Sequence, residues 1–168
     1  AMLTAVYVVL NFAGTVRLGW INISVASLPV IVGAMLYGPV GGLLVGLLGA
    51  FMGQLLTYGV TATTILWILP QAARGLLVGI YAKHCGYSFS RGQLTAALIG
   101  TALVVTALNT GAMYIDSVIY NYYSYAYVFG GLVVRIISGA ATAVLMVFVA
   151  PPVVNLLNRS LDTVRTAQ

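Results

Sequence analysis

Residues 64–83 read TILWILPQAARGLLVGIYAK. The stretch is apolar enough to cross a bilayer, yet it carries Trp67, Gln71 and Arg74. Trp67 and Gln71 are four apart and Gln71 and Arg74 three apart, so all three project from one side of a helix. Arg74 lies midway along the stretch, roughly 15 Å from the nearer end, too deep for easy escape to a headgroup. An arginine at that depth costs about 2.5–3.5 kcal/mol on insertion scales. No neighbour in the stretch offsets the charge, so its partner must come from elsewhere.

Working outward, the whole chain has the same character. A soluble domain is about one quarter charged; here 5% of the 168 residues are charged and 61% are hydrophobic. This predicts an all-α membrane protein, a single integral domain over 1–168. At about 20 to 25 residues per crossing there is room for five or six spans, and the turn signals divide the chain into six. The predicted helices cover about 1–13, 23–37, 39–57, 64–83, 92–113 and 128–157. The opening run AMLTAVYVVLNFAG lacks the basic start and polar sequel of a signal peptide. It reads as a first spanning helix that begins before Ala1, since 13 residues cover only about 20 Å of a core of about 30 Å.

Gly38-Pro39 separates helices two and three. Helix three then carries a glycine ladder, Gly38, Gly42 and Gly46, followed by Gly49 and Gly53. Small residues at this spacing let a neighbouring backbone come close in a membrane. Pro70 should kink helix four or free a carbonyl near the depth of Arg74. A loop holding Gly14, Arg17, Gly19 and Asn22 joins helices one and two. Residues 84–91 join helices four and five, and the tyrosine-rich stretch 114–127, with Asp116, joins helices five and six.

The net charge of +5 does not point to nucleic acid, because the basic residues form no cluster. Lys83 and Arg91 flank one loop, and Arg159 and Arg165 occupy the tail. The positive-inside rule puts that side, and both termini, in the cytoplasm; Arg17 alone opposes it. Trp67, Gln71, Gln54, Asn109, Thr106 and Arg135 then gather in the outer half of the bilayer, with Arg74 near the middle. The only acids are Asp116 and Asp162. Asp162 is on the wrong side, and Asp116, read in loop five, satisfies at most one arginine.

A cavity with unpaired guanidiniums wants an anion, which a planar fork holds bidentately. Trp67 would supply a flat wall, and Gln71 and Asn109 polar partners. Arg135 either faces this cavity or caps helix carbonyls. Tyr120, Tyr122 and Tyr123 would form a lid, an interfacial aromatic belt, or both. Nothing supports catalysis, a cofactor or a metal: there is no nucleophile–base set, and the lone His84 and Cys85 give no metal spacing. An ion pump would be expected to carry acids inside its helices, and none is predicted in a helix interior.

Six short helices, the Ala1/Ala5 AxxxA pair, LPVIVGAMLYGPVGGLLVGLLG and LWILPQAARGLLVGIYAK together resemble the substrate-binding S-components of energy-coupling factor (ECF) vitamin transporters. The resemblance implies a prokaryotic plasma-membrane protein that binds a vitamin from outside. Its partners would be a transmembrane coupling protein and two ATPase subunits, so the chain itself would hydrolyse no ATP. Ala1 and Ala5 would form the docking face. The folate branch tends to carry a PGFTLS-like start to helix four and an acid late in helix three; here those positions read TATTILW and Gln54. Trp67, Arg74 and Asn109 resemble the pantothenate branch, although a second arginine in the pocket would suit a dianion such as folate. A self-sufficient secondary carrier, or a membrane scaffold, is the rival from another class. The carrier would need a titratable group in the path, and a scaffold would not need to bury arginines.

Overall fold

The structure, a computed structural model, describes residues 1–18, 21–87 and 90–166, with side chains described within 1–14, 24–87 and 90–158. The side chains of Arg17, Arg159, Asp162 and Arg165, used above for orientation and charge balance, lie outside the described residues. In chain order the elements are α1 (Met2–Ala13), strands β1 (Thr15–Leu18) and β2 (Ile21–Ser24), a 3-10 turn at Val25–Ser27, α2 (Leu28–Tyr58), α3 (Thr64–His84), α4 (Arg91–Ile119), α5 (Tyr125–Phe129) and α6 (Leu132–Thr166). Among the described residues, four segments are long and apolar enough to cross a membrane: Val25–Tyr58, Thr64–His84, Arg91–Ile119 and Tyr125–Asn158. α1 is apolar but shorter. The chain is built as a multi-pass helical membrane protein.

Where the sequence predicts six separate helices, five of more than two turns are present among the described residues, because the second and third join in α2. That element is not straight. Gly38 lies inside it at φ 73° and ψ −161°. Pro39 follows, with no N–H for a helical bond and a ring that disfavours helical geometry in the residue before it. A β-carbon on Gly33 would sit 3.1 Å from Val45 Cγ2, and one on Gly42 2.6 Å from Ala34 Cβ. Positions 33 and 45 of a straight helix are about 18 Å apart, so residues 28–37 and 39–58 fold back on each other at Gly38.

The glycine ladder does what its spacing predicts. One face meets α3: a β-carbon on Gly46 would overlap the Gln71 carbonyl, and one on Gly42 the Gly75 carbonyl. On α3, a β-carbon on Gly79 would run into Pro39. The pairings 46–71, 42–75 and 39–79 make the two helices antiparallel. Another face meets α1, with the Tyr7 ring 2.6 Å from the β-carbon position of Gly49 and Asn11 Nδ2 3.1 Å from that of Gly53. Such contacts exist only because these positions lack side chains.

The core lies where the first half of α2 meets α3, α4 and α6, around Ile31, Val32, Val78, Leu98, Met146 and Ala150. Leu69, Ile80, Leu103 and Phe148 point outward and exposed, the arrangement expected of surfaces that face lipid. α3 runs through Pro70 as one helix.

Other boundaries differ from those the sequence predicts. Helix two begins at Leu28, because the loop before it forms a hairpin, β1 pairing antiparallel with β2 from Thr15↔Ser24 to Leu18↔Ile21. Val25 N–H donates to the Gly14 carbonyl at 3.0 Å and closes its base, and β2 lies against α6. α4 starts at Arg91 under a capping box: the Gln93 N–H donates to Ser90 Oγ at 3.3 Å, and the Ser90 N–H to Gln93 Oε1 at 3.2 Å. It continues to Ile119, six residues beyond the predicted 113. Asp116 therefore belongs to the last turn of a spanning helix and is 8% exposed, which corrects both its placement in a loop and the expectation of no acid inside a helix. The last span opens with α5, which Gly130-Gly131 separates from α6.

Candidate functional site

α3 is anchored on one side and open on the other. Its Ala72, Gly75 and Gly79 are buried, the two glycines pressed on the α2 backbone. That fixes the helix rotation so that Gln71 and Arg74 turn towards α4 and α6. There they line a cavity of about 260 Å³ together with Thr106 and Asn109 of α4 and Arg135 of α6. Ser24, at the end of β2, and Ser138 and Thr142 of α6 complete its polar wall. Five of the residues singled out in the sequence thus converge.

The two guanidiniums are held differently. Arg135 donates through Nε to the Gly131 carbonyl at 3.4 Å, through Nη1 to Met113 Sδ at 2.7 Å, and through Nη2 to the Val128 carbonyl. It both lines the cavity and bonds to carbonyls at the junction of α5 and α6. Its partners are neutral, so its charge remains. Arg74, half-buried, has no carboxylate against it among the described residues. The phenol of Tyr7, a 3% exposed side chain of α1, lies near it. Gln71 Oε1 is buried with no hydrogen-bond partner, an acceptor aimed at nothing the protein provides among the described residues. The Thr106 hydroxyl is committed to the Ala102 carbonyl at 2.8 Å.

Trp67 and Gln54 do not join this group. They line a second cavity, of about 350 Å³, with Asp116, Tyr120 and Tyr122. The reason is Asp116, whose carboxylate accepts from Thr63 Oγ1 at 2.5 Å, from Trp67 Nε1 at 3.5 Å and from the Tyr122 hydroxyl. The indole is thereby turned from Arg74 towards the end of α4. Tyr120 and Tyr122, expected as a lid on the anion cavity, stand at the wall of the second one, and Tyr123 packs edge-on against Tyr114 at 5.5 Å. The element nearest to a cover for the first cavity is the hairpin, which ends at Ser24 and leans on α6.

The hydrogen bond to Asp116 raises the pKa of the Tyr122 phenol above the ordinary tyrosine range, since ionising it would set two anions in contact. Any stability from this group is present below the usual tyrosine pKa of about 10 and is lost as pH rises towards the higher folded value. Spectroscopic titration of the tyrosinate band should show phenols that ionise late, and Tyr122→Phe should remove one residue's amplitude from that late component. An unchanged late amplitude in the variant would separate Tyr122 from Asp116.

A family model for the ECF transporter substrate-specific component matches residues 1–154. The chain belongs to that family. No curated protein matches it. An ECF substrate-specific component is the part of a transporter that binds the transported small molecule, not an enzyme, and it works with an ECF module. Sequence reasoning missed Tyr7, Ser24, Ser138 and Thr142. A tyrosine within the apolar run of α1 was a usable signal, because a buried phenol needs a polar neighbour. The three hydroxyl residues gave none, since serine and threonine are common in membrane helices.

Proposed function

We propose that this ECF substrate-specific component captures a small anionic vitamin, of pantothenate type, from the outer face of a prokaryotic plasma membrane. The observation that carries the reading is the cavity in which the Arg74 guanidinium, without a carboxylate among the described residues, stands beside the unpartnered Oε1 of Gln71. Arg74 would take the carboxylate through its planar fork. Gln71 Oε1 would accept from a hydroxyl or amide N–H, and Asn109 would orient the remaining polar groups. Arg135 would add positive potential from the cavity edge. Size favours the smaller vitamin: about 260 Å³ is just under the roughly 300 Å³ at which ligand pockets usually begin.

The six-helix arrangement fits if residues 28–37 and 39–58 count as separate helices, as their folding back at Gly38 supports. Both termini would then be cytoplasmic and the two cavities would open outward. Ala1 and Ala5 are exposed on α1, as a docking face for the transmembrane coupling protein requires; the two ATPase subunits would sit beyond it. Calorimetric titration of the detergent-purified chain with pantothenate and folate in parallel tests the substrate. The expected result is tight one-to-one binding of pantothenate and much weaker binding of folate. The reverse order would move the substrate to folate, and silence with both would remove the case for the pocket.

A further inference from the structure

The second cavity has the opposite electrostatics from the first. Its one charged group is Asp116, 8% exposed, and its walls are largely aromatic: Trp67, Tyr58, Tyr120, Tyr122 and Tyr127. Tyr122 and Tyr127 meet with centroids 5.4 Å apart and planes at 83°, so their rings form a corner. The carboxylate accepts from three donors, Thr63, Trp67 and Tyr122, all neutral. They fix its orientation and stabilise its ionised form, yet they leave its charge uncompensated. A carboxylate offers about four acceptor positions; with two bonds on Oδ1 and one on Oδ2, the described residues leave a position on Oδ2 open.

We propose that this cavity binds an organic ammonium group. A cation with an apolar skin gains twice there, from the fixed carboxylate and from the ring faces, whose quadrupoles attract positive charge. A hard metal ion needs six or more oxygens and favours several carboxylates, whereas the described walls offer a single carboxylate, with neutral Gln54, Thr61 and Thr63 beside the rings. An anion is repelled by Asp116, so the vitamin proposed above belongs in the Arg74 cavity. The two sites share none of their lining residues, and this proposal stands on its own geometry.

Choline and its neutral isostere 3,3-dimethylbutan-1-ol make the test. The chain has two tryptophans, so a Trp20→Phe background isolates Trp67 fluorescence in detergent-purified protein. Choline is expected to change that fluorescence saturably, and the isostere to bind about tenfold more weakly or worse. Asp116→Asn, which keeps the shape and loses the charge, is expected to reduce choline affinity by a similar factor, whereas Arg74→Ala leaves it unchanged. No saturable response to choline, equal binding of the isostere, or full choline affinity in a folded Asp116→Asn protein would each overturn the proposal. Should that variant fail to fold, the comparison of choline with its isostere still decides.

Discussion

Arg74→Ala is expected to weaken binding of the anionic vitamin by on the order of 10²-fold or more, and to leave the fold as stable as before. The two halves of this result have one cause. A desolvated carboxylate that loses its guanidinium is left without a counter-charge, and truncating one member of such a pair costs about 2–5 kcal/mol. Without ligand, the described residues give Arg74 no carboxylate, so its removal breaks no ion pair among them. Arg74→Lys should fall between, since it restores the charge without the planar fork. Titration calorimetry reads the first effect, and thermal unfolding in detergent the second. A structural arginine would give the opposite pair, with stability lost and affinity kept in whatever protein remains folded.

The second large effect is on the fold. Gly75→Ala is expected to destabilise the chain by about 3 kcal/mol or more, at the severe end of overpacking, and to lower its yield. The new β-carbon would fall on the carbonyl of Gly42, and a β-carbon on Gly42 would fall on the carbonyl of Gly75. Both neighbours are backbone, so neither can swing aside. Gly100, in α4, is the internal control: nothing lies within 4 Å of its β-carbon position. Gly100→Ala should be neutral or gain up to about 1 kcal/mol from helix propensity. Thermal melting of the two variants side by side gives the answer; equal stability would mean that α2 and α3 do not touch where described.

Much of this was legible in the residues because membrane sequences state two things plainly. A helix such as Thr64–His84 announces itself by length and apolarity, and an arginine in the middle of it is costly enough to mark a functional candidate. The glycine ladder likewise marks a face that a neighbouring backbone can approach closely, and Gly38-Pro39 marks the turn at which α2 folds back. What stayed hidden depended on partners distant in sequence. Trp67 sits one turn from Gln71, a spacing that predicts one shared pocket, yet Asp116, 49 residues further along, turns its indole into another. Asp116 itself lay among tyrosines that read as a loop, and only its burial by Thr63, Trp67 and Tyr122 shows why α4 continues past it. The hairpin between α1 and α2 was missed because two four-residue strands leave too short an alternating pattern to stand out from a loop.

The central claim is that Arg74 holds the negative charge of the substrate. Replacing the carboxylate of pantothenate by a primary alcohol gives panthenol, which is neutral and otherwise alike, and the most direct measurement is the affinity of both ligands for the wild-type chain and for Arg74→Ala. The account predicts that the wild type prefers pantothenate by on the order of 10²-fold, and that the preference collapses towards unity in Arg74→Ala, mostly through loss of pantothenate binding. If Arg74→Ala still distinguishes the acid from the alcohol as the wild type does, the anion sits elsewhere and the claim is wrong.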